Sequence, residues 1–170
     1  PYDTAGHSIG SPAGPEHERQ QWLLDCIAAA DFVGFDTYAG GGAGDVTPEP
    51  QLKAMRFWIA NYAGDKPFYI TESGFTTSVE AGDTRKGYHI RGTERQQAEF
   101  FTAMFGALIE ARKDPADPLS KLRGYLIWKY ADRGYQEDPV EVHFGLVRED
   151  GTRKPAHAAV AEALARIDSE

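Results

Sequence analysis

Glu72 is the side chain whose type and position most clearly predict chemistry in this sequence. It follows the apolar run PFYIT at 67–71, and Ser73 and Gly74 come directly after it. A short apolar run bounded by Pro and Gly is typical of a buried parallel strand. A carboxylate there is costly to bury unless it is paired, and the carboxyl ends of β/α-barrel strands hold catalytic groups. The pattern favours a catalytic carboxylate, with a simple strand-ending turn as the alternative.

Two further predicted strands, at 31–38 and 122–130, also end in residues suited to a binding site. Because alternate side chains of a strand share one face, we expect Glu72 to point the same way as Ile70 and Phe68. The residues that this rule places on the matching face of the other two strands are Gly34, Asp36, Tyr38, Gly124, Leu126 and Trp128, with Tyr130 just beyond.

A Tyr, a Glu and a Trp at three neighbouring strand ends predict a sugar site. The indole of Trp128 can stack on the apolar face of a pyranose, and the Glu72 carboxylate can attack or stabilise the anomeric carbon. The Tyr38 phenol can donate a hydrogen bond that orients the carboxylate. Asp36 and Tyr130 are further candidate substrate-binding groups. Each aromatic also has a simpler interpretation as strand packing.

The elements that must position these residues alternate in type. Helices are predicted at 16–30, 47–64, 93–113 and 154–167, between and around the three strands; Thr93 and Gln96 form a capping box. Alternating helices and strands predict an α/β fold with a parallel sheet. An open doubly wound sheet would need a phosphate loop, but in the sequence Thr47-Pro48 separates the glycines at 40–44 from the next helix.

Three strands are too few for a (β/α)8 barrel of about 250 residues. The sequence therefore predicts one partial domain over 1–170, corresponding to about strands 6–8 of a TIM barrel, with 1–15 as a preceding loop or linker. A net charge of −8 argues against nucleic acid and anionic membrane surfaces as partners. No apolar run is long enough to span a membrane. The single Cys26 is expected to pack in a helix, and it leaves the compartment undetermined. No metal or cofactor is expected.

The stretch ITESGF at 70–75 resembles the nucleophile motif of the clan A glycoside hydrolases, the 4/7 superfamily of retaining (β/α)8 enzymes. The segment 31–38 is similar to strand six of that clan and 122–128 to strand eight. The FGL at 144–146, followed by DG at 150–151 and KP at 154–155, is similar to its closing segment. The resemblance covers most of the chain and leaves families 5, 39 and 1 open.

The resemblance implies a retaining mechanism in which Glu72 is the nucleophile, Tyr38 touches it and Trp128 floors the sugar subsite. It also implies an acid/base Glu, usually after an Asn on strand four, and this chain has no Asn-Glu dipeptide. Glu137 and Asp132, which follow the third strand, are candidate acids, although loop carboxylates are usually solvated. Arg85, Lys86, Tyr88 and His89 are candidates for outer subsites or simply for the surface.

Two hypotheses follow from the sequence. In the first, the chain is the C-terminal half of a retaining β-glycosidase, and an N-terminal half supplies the acid/base for cleavage of an oligosaccharide, polysaccharide or other β-glycoside. In the second, it is a non-catalytic half-barrel that binds carbohydrate or assembles with a second copy to cover its open sheet.

Overall fold

A computed structural model describes residues 15–38, 47–80, 92–134 and 138–168, with the backbone alone for 15–20, 139 and 168. Helices and strands alternate as the sequence predicts as far as the third strand, after which a short helix that was not predicted precedes the last one. In chain order they are α1 (Pro15–Ala29), β1 (Val33–Asp36), α2 (Glu49–Trp58), β2 (Phe68–Ser73), α3 (Glu94–Arg112), β3 (Leu122–Ile127), α4 (Pro139–Val142) and α5 (Pro155–Asp168). A π-helical turn (Ile59–Ala63) continues α2, and a 3-10 turn (Pro118–Lys121) leads into β3.

The three strands form a parallel sheet in the order β1-β2-β3. One face of this sheet is covered by helices. The buried core on that face joins β2 to α2, α3 and α5 through Phe68, Ile70, Leu52, Met55, Phe101, Met104 and Val160. The opposite face leaves large side chains exposed, among them Leu126 at 54%. Helices on one face differ from an open doubly wound sheet, which is covered on both.

Helix α3 begins where the sequence predicts. The Thr93 hydroxyl accepts a hydrogen bond from the Gln96 backbone N–H at 3.2 Å, and the Gln96 side chain accepts one from the Thr93 N–H at 2.9 Å. These two bonds satisfy amide groups that have no partner within the first helical turn. The capping box is therefore confirmed.

Strand β3 is shorter than predicted, ending at Ile127 rather than at Tyr130. The Trp128 N–H still donates to the Ser73 carbonyl at 2.7 Å. Two residues later the Tyr130 carbonyl instead accepts bonds from the N–H groups of Leu146 and Val147, at 2.9 and 3.0 Å. After Trp128 the backbone is therefore hydrogen-bonded to the segment that contains Leu146 and Val147 rather than to β2. The Trp128–Lys129 peptide bond is cis.

Helix α1 packs less closely than its apolar stripe suggests. Trp22 is 68% exposed and Cys26 is also exposed, so the expectation that Cys26 packs in a helix interface is wrong. Leu23 and Ile27 are half-buried and line a cavity of about 420 Å³ beside β1. The apolar side of α1 is therefore only partly covered by the part of the chain that the structure describes.

Candidate active site

A β-bulge at the end of β2 determines where Glu72 points. Phe35 pairs with Ile70, but the next residue, Asp36, pairs with Glu72 rather than with Thr71. Two residues of β2 therefore oppose one residue of β1, which is the geometry of a bulge. The register is held beyond this point by the Thr37 N–H, which donates to the Glu72 carbonyl at 2.8 Å.

The bulge corrects the predicted alternation along β2. Phe68 and Ile70 are buried in the core beneath the helices and do not share a face with the site. Thr71, on the open face, donates to the Asp36 carboxylate at 2.7 Å. Without the bulge Glu72 would follow Ile70 into the core. The extra residue instead lets Glu72 reach the side chain of Tyr38.

Tyr38 and Glu72 are in direct contact, as predicted. The phenol O–H of Tyr38 donates a hydrogen bond to Oε1 of Glu72, and both residues are half-buried. Burial, and after it the hydrogen bond to Glu72, raises the pKa of Tyr38 above its ordinary value; Glu141 and Asp36 add to the effect through their charges. Tyr38 is therefore a neutral donor across the physiological range, and Glu72 is the acceptor.

The other predicted site residues, Asp36, Trp128 and Tyr130, differ in exposure and in their position relative to this pair. Asp36 is exposed on the open face, on the strand that neighbours Glu72. Trp128 follows β3, is 38% exposed, and is tied through its backbone to Ser73, the residue after Glu72. Tyr130 is 66% exposed and its ring lies edge-on to His157 of α5, with ring centres 6.3 Å apart. Its side chain is thus directed to the start of α5.

The segment around Trp128 also carries a cation. The Lys129 ammonium lies 5.8 Å from the centre of the Trp128 ring. A cation over an indole face is attracted by the ring quadrupole. The pair places a positive charge next to the predicted stacking surface.

Asp132 differs from its prediction. We expected a solvated loop carboxylate, but Asp132 is only 8% exposed and pairs with Lys154, which is 2% exposed. The Lys154 ammonium lies 2.9 and 2.8 Å from the two carboxylate oxygens and donates to the Thr77 hydroxyl at 3.0 Å. Burial lowers the pKa of Lys154, and the Asp132 charge opposes this effect. A carboxylate held in this way belongs to a structural ion pair. Asp132 is therefore a poor candidate for the acid.

Several predicted features lie outside the described residues. They are Glu137, the loop residues Arg85, Lys86, Tyr88 and His89, and the glycines at 40–44. In the described ranges, no group of three or more His, Cys, Asp or Glu side chains is arranged to hold a metal ion. No helix within those ranges is both long and apolar enough to cross a membrane.

The sequence analysis missed the residues that support the site from behind. Gln51 of α2, buried, donates to the Thr37 carbonyl at 3.2 Å. Gln97 of α3, also buried, donates to three carbonyls in the segments that follow β2 and α4. Phe144 packs against Tyr38. A glutamine inside an otherwise apolar helix stripe was a visible signal, since a buried amide N–H group needs an acceptor nearby.

No protein-family model matches this sequence. Among solved structures, the chain is similar to a GH5_18 protein from Streptomyces cattleya in complex with GlcNAc. The identity is 18% and the TM-score 0.60, over 87% of this chain and 33% of that one. A GH5_18 variant from Bifidobacterium longum subsp. longum, in complex with Manb1-4GlcNAc, matches at 19% identity and TM-score 0.60, over 86% and 33%.

A second group of similar structures consists of proteins designated GH2 or β-glucuronidase rather than GH5_18. The GH2 β-galacturonidase from Eisenbergiella tayi matches at 22% identity and TM-score 0.55, covering 81% of this chain and 24% of that one. The chain thus spans about a quarter to a third of the length of these three solved structures. At these identities the similarity concerns the fold. This chain has a mixed α/β fold similar to part of the (β/α)8 domains of glycoside hydrolases.

Proposed function

We propose that the chain is the nucleophile-bearing C-terminal part of a retaining β-glycosidase, with Glu72 as the nucleophile. In the first step a Glu72 oxygen attacks the anomeric carbon, and the bond to the leaving-group oxygen breaks as that oxygen takes a proton from the acid. In the second step the acid, now a base, removes a proton from water, and the water oxygen displaces Glu72. The anomeric configuration is retained because each step inverts it.

The contact between Tyr38 and Glu72 is the observation that carries this proposal. A nucleophilic carboxylate has to be ionised, half-exposed and held in one orientation. The neutral phenol of Tyr38 supplies a directional hydrogen bond without neutralising the carboxylate as a lysine would. The bulge in β2 brings Glu72 into that contact. A carboxylate that merely ended the strand would need neither feature.

The proposed substrate is an oligosaccharide, polysaccharide or other β-glycoside. Trp128 is sufficiently exposed for one ring face to stack on a pyranose, and Asp36 offers hydrogen-bond acceptors on the neighbouring strand. Tyr130 would serve only a more distant part of the substrate, since its ring lies beside His157. Similar structures that hold GlcNAc and Manb1-4GlcNAc support a saccharide ligand in general terms.

The acid/base is proposed to lie on barrel units that are not part of this sequence. A retaining site needs a second carboxyl group about 5–5.5 Å from the first, on the other side of the scissile bond. Asp132 is the candidate acid that lies among the described residues, and its carboxylate is paired with the Lys154 ammonium. The proposed partner is accordingly an N-terminal half-barrel, or else a second copy of the chain.

The open face of the sheet supports a second candidate function, a half-barrel that assembles or binds carbohydrate without turnover. Leu126 and Phe32 are 54% and 53% exposed on or beside the sheet. An apolar sheet surface with free strand edges favours association. Sedimentation of the chain over a concentration range tests it: a monomer at all concentrations contradicts self-assembly, whereas a dimer lacking any labelling of Glu72 favours it.

Trapping of the glycosyl-enzyme tests the catalytic proposal. A 2-deoxy-2-fluoro glycosyl fluoride reacts without an acid because fluoride is a good leaving group. We would treat the chain, with and without an added N-terminal half-barrel, with the gluco, galacto and manno reagents, and map the labelled peptide by mass spectrometry. Label on Glu72, absent in Glu72→Gln, is the expected result. Label on another carboxylate, such as Glu80, contradicts the assignment, as does no label on Glu72 in either preparation.

A further inference from the structure

We propose that Gln97 and Phe144 are positioning residues that hold the Tyr38 phenol against the Glu72 carboxylate. The inference rests on the proposed function of Glu72 and adds to it a support that extends from α3 to the site. The effect of both residues is on the orientation of Tyr38, which makes the hydrogen bond.

Phe144 is wedged between the ends of β1 and β2. It is 1% exposed, and its ring meets the Tyr38 ring edge-on, with centres 5.6 Å apart and planes at 72°. On another side it lies against Gly74, two residues after Glu72, where an added Cβ would be 2.7 Å from Cδ1 of Phe144. A side chain enclosed in this way has little freedom to move away from Tyr38.

Gln97 holds the backbone of Phe144 in place. It is completely buried, and its Nε2 lies 2.8 Å from the Phe75 carbonyl oxygen, 3.3 Å from that of Phe144 and 3.2 Å from that of Gly145. Three carbonyl oxygens around one atom identify that atom as the amide nitrogen, since an oxygen there would meet only acceptors. One side chain therefore joins the segment after β2 to the segment that contains Phe144.

Tyr38 needs such support because it lies outside the strand. It comes two residues after the last residue of β1 and directly after Thr37, whose N–H donates to the Glu72 carbonyl. Its ring is half-exposed, so rotation about its side-chain torsions would break the bond to Glu72. Edge-on packing by Phe144 restricts that rotation. A misplacement of about 1 Å at a reacting group is enough to lower a rate about 100-fold.

The experiment reads Tyr38 directly by NMR of the chain labelled with ¹³C at the ζ carbon of tyrosine. The chain has eight tyrosines, and the Tyr38 signal is the one missing from Tyr38→Phe. We expect Phe144→Leu to shift or split that signal and to slow 2-fluoro labelling of Glu72 about 10-fold. The matched control is Phe101→Leu, because Phe101 is equally buried but stacks on Phe105 within α3. It should leave the Tyr38 signal in place.

A second variant keeps the test decisive if Phe144→Leu does not fold. Gln97→Glu preserves the side-chain size but replaces the amide donor, and it should shift the same signal. The proposal is overturned if folded Phe144→Leu and Gln97→Glu leave the Tyr38 signal unchanged, or if Phe101→Leu shifts it equally. The NMR readout needs no turnover. Failure to label Glu72 in the wild type would therefore overturn the proposed function while the effect on Tyr38 is still measured.

Discussion

Glu72 lies near the end of β2 and Asp132 follows the end of the neighbouring strand β3, yet the surroundings of these two carboxylates differ in almost every respect. Glu72 is half-buried, faces the open side of the sheet and accepts a hydrogen bond from the neutral phenol of Tyr38. Asp132 is buried and both of its oxygens lie within 3 Å of the Lys154 ammonium. The backbone N–H of Gly145 also donates to it, at 2.8 Å.

Under the proposed function, this difference separates the carboxylate that reacts from one that stabilises the fold. The two charges of a buried ion pair are withdrawn from water and bound to each other, so neither is available to react. Removal of one partner leaves the other charge buried and uncompensated. Glu72 accepts from a neutral donor through Oε1, and this hydrogen bond brings no opposite charge to the carboxylate. Position after a strand is thus insufficient to identify a nucleophile. The partner and the exposure decide the role.

The largest expected effect separates the two carboxylates by reactivity. Glu72→Gln should lower 2-fluoro labelling by at least about 1000-fold, since an amide cannot replace the attacking oxygen. Its free energy of unfolding should change little, because Gln retains the size and can still accept from Tyr38. Asp132→Asn should show the opposite pattern, with labelling retained in the folded fraction and stability reduced. Equal losses of labelling per folded molecule would contradict the distinction.

The second prediction concerns the stability of the buried pair. Lys154→Met removes the ammonium and leaves Asp132 buried without its cation, which should cost about 3–5 kcal/mol in the free energy of unfolding. Urea denaturation measures this loss. The control is Lys113→Met, which breaks an exposed pair with Glu110 on α3 and should have no measurable effect. A loss for Lys154→Met no greater than that of the control would show that the pair is not structural.

The third prediction addresses the neutral donor at Glu72. Tyr38→Phe removes a hydrogen bond to a charged group, and labelling should slow by about 10–100-fold, equivalent to about 1.5–3 kcal/mol. Labelling at the wild-type rate would remove Tyr38 from the mechanism.

The raised pKa of Tyr38 also predicts a pH dependence of stability. In the unfolded chain Tyr38 ionises near its ordinary value of about 10, whereas burial and Glu72 keep it protonated in the folded chain. Its contribution is therefore complete below about pH 10 and is lost as pH rises above that value. Above about pH 10 the free energy of unfolding should fall less steeply with pH in Tyr38→Phe than in the wild type. The difference in slope should correspond to one bound proton. Denaturation at several alkaline pH values tests this, and an unchanged slope contradicts it.

The smallest expected effects concern two glycines. A Cβ on Gly74 would collide with the Trp128 carbonyl oxygen and lie 2.7 Å from Phe144, so Gly74→Ala should destabilise the fold by about 1–3 kcal/mol. Gly106, within α3, has nothing within 4 Å of an added Cβ. Gly106→Ala should stabilise by about 0.5–1 kcal/mol through its higher helix propensity. Thermal unfolding of both variants checks the signs, and a stable Gly74→Ala would indicate a looser site than described.

Local patterns were sufficient for the order of the main helices and strands and for the start of α3. The capping box at Thr93 and Gln96 depends on bonds within one turn, so four residues of sequence predict it. The same holds for β2, whose apolar run and following Ser73-Gly74 are contiguous. The contact of Tyr38 with Glu72 was also predicted, because neighbouring parallel strands bring their carboxyl ends to one edge.

Features that depend on distant partners could not be read in this way. The end of β3 depends on bonds from Leu146 and Val147 to Tyr130, and no local signal near Tyr130 indicates them. The burial of Asp132 depends on Lys154, 22 residues away. Gln97 is 22, 47 and 48 residues from the three carbonyls that it joins.

The sequence by itself determined the order of the main helices and strands and identified Glu72 as the carboxylate to test. Only the tertiary structure decided which way that carboxylate points. Simple alternation along β2 predicted that Glu72 shares a face with Phe68 and Ile70, whereas those residues lie in the core. The direction changes at the bulge where Asp36 pairs with Glu72. A bulge is a property of two paired strands, and its register is set by hydrogen bonds between segments that lie far apart in the chain.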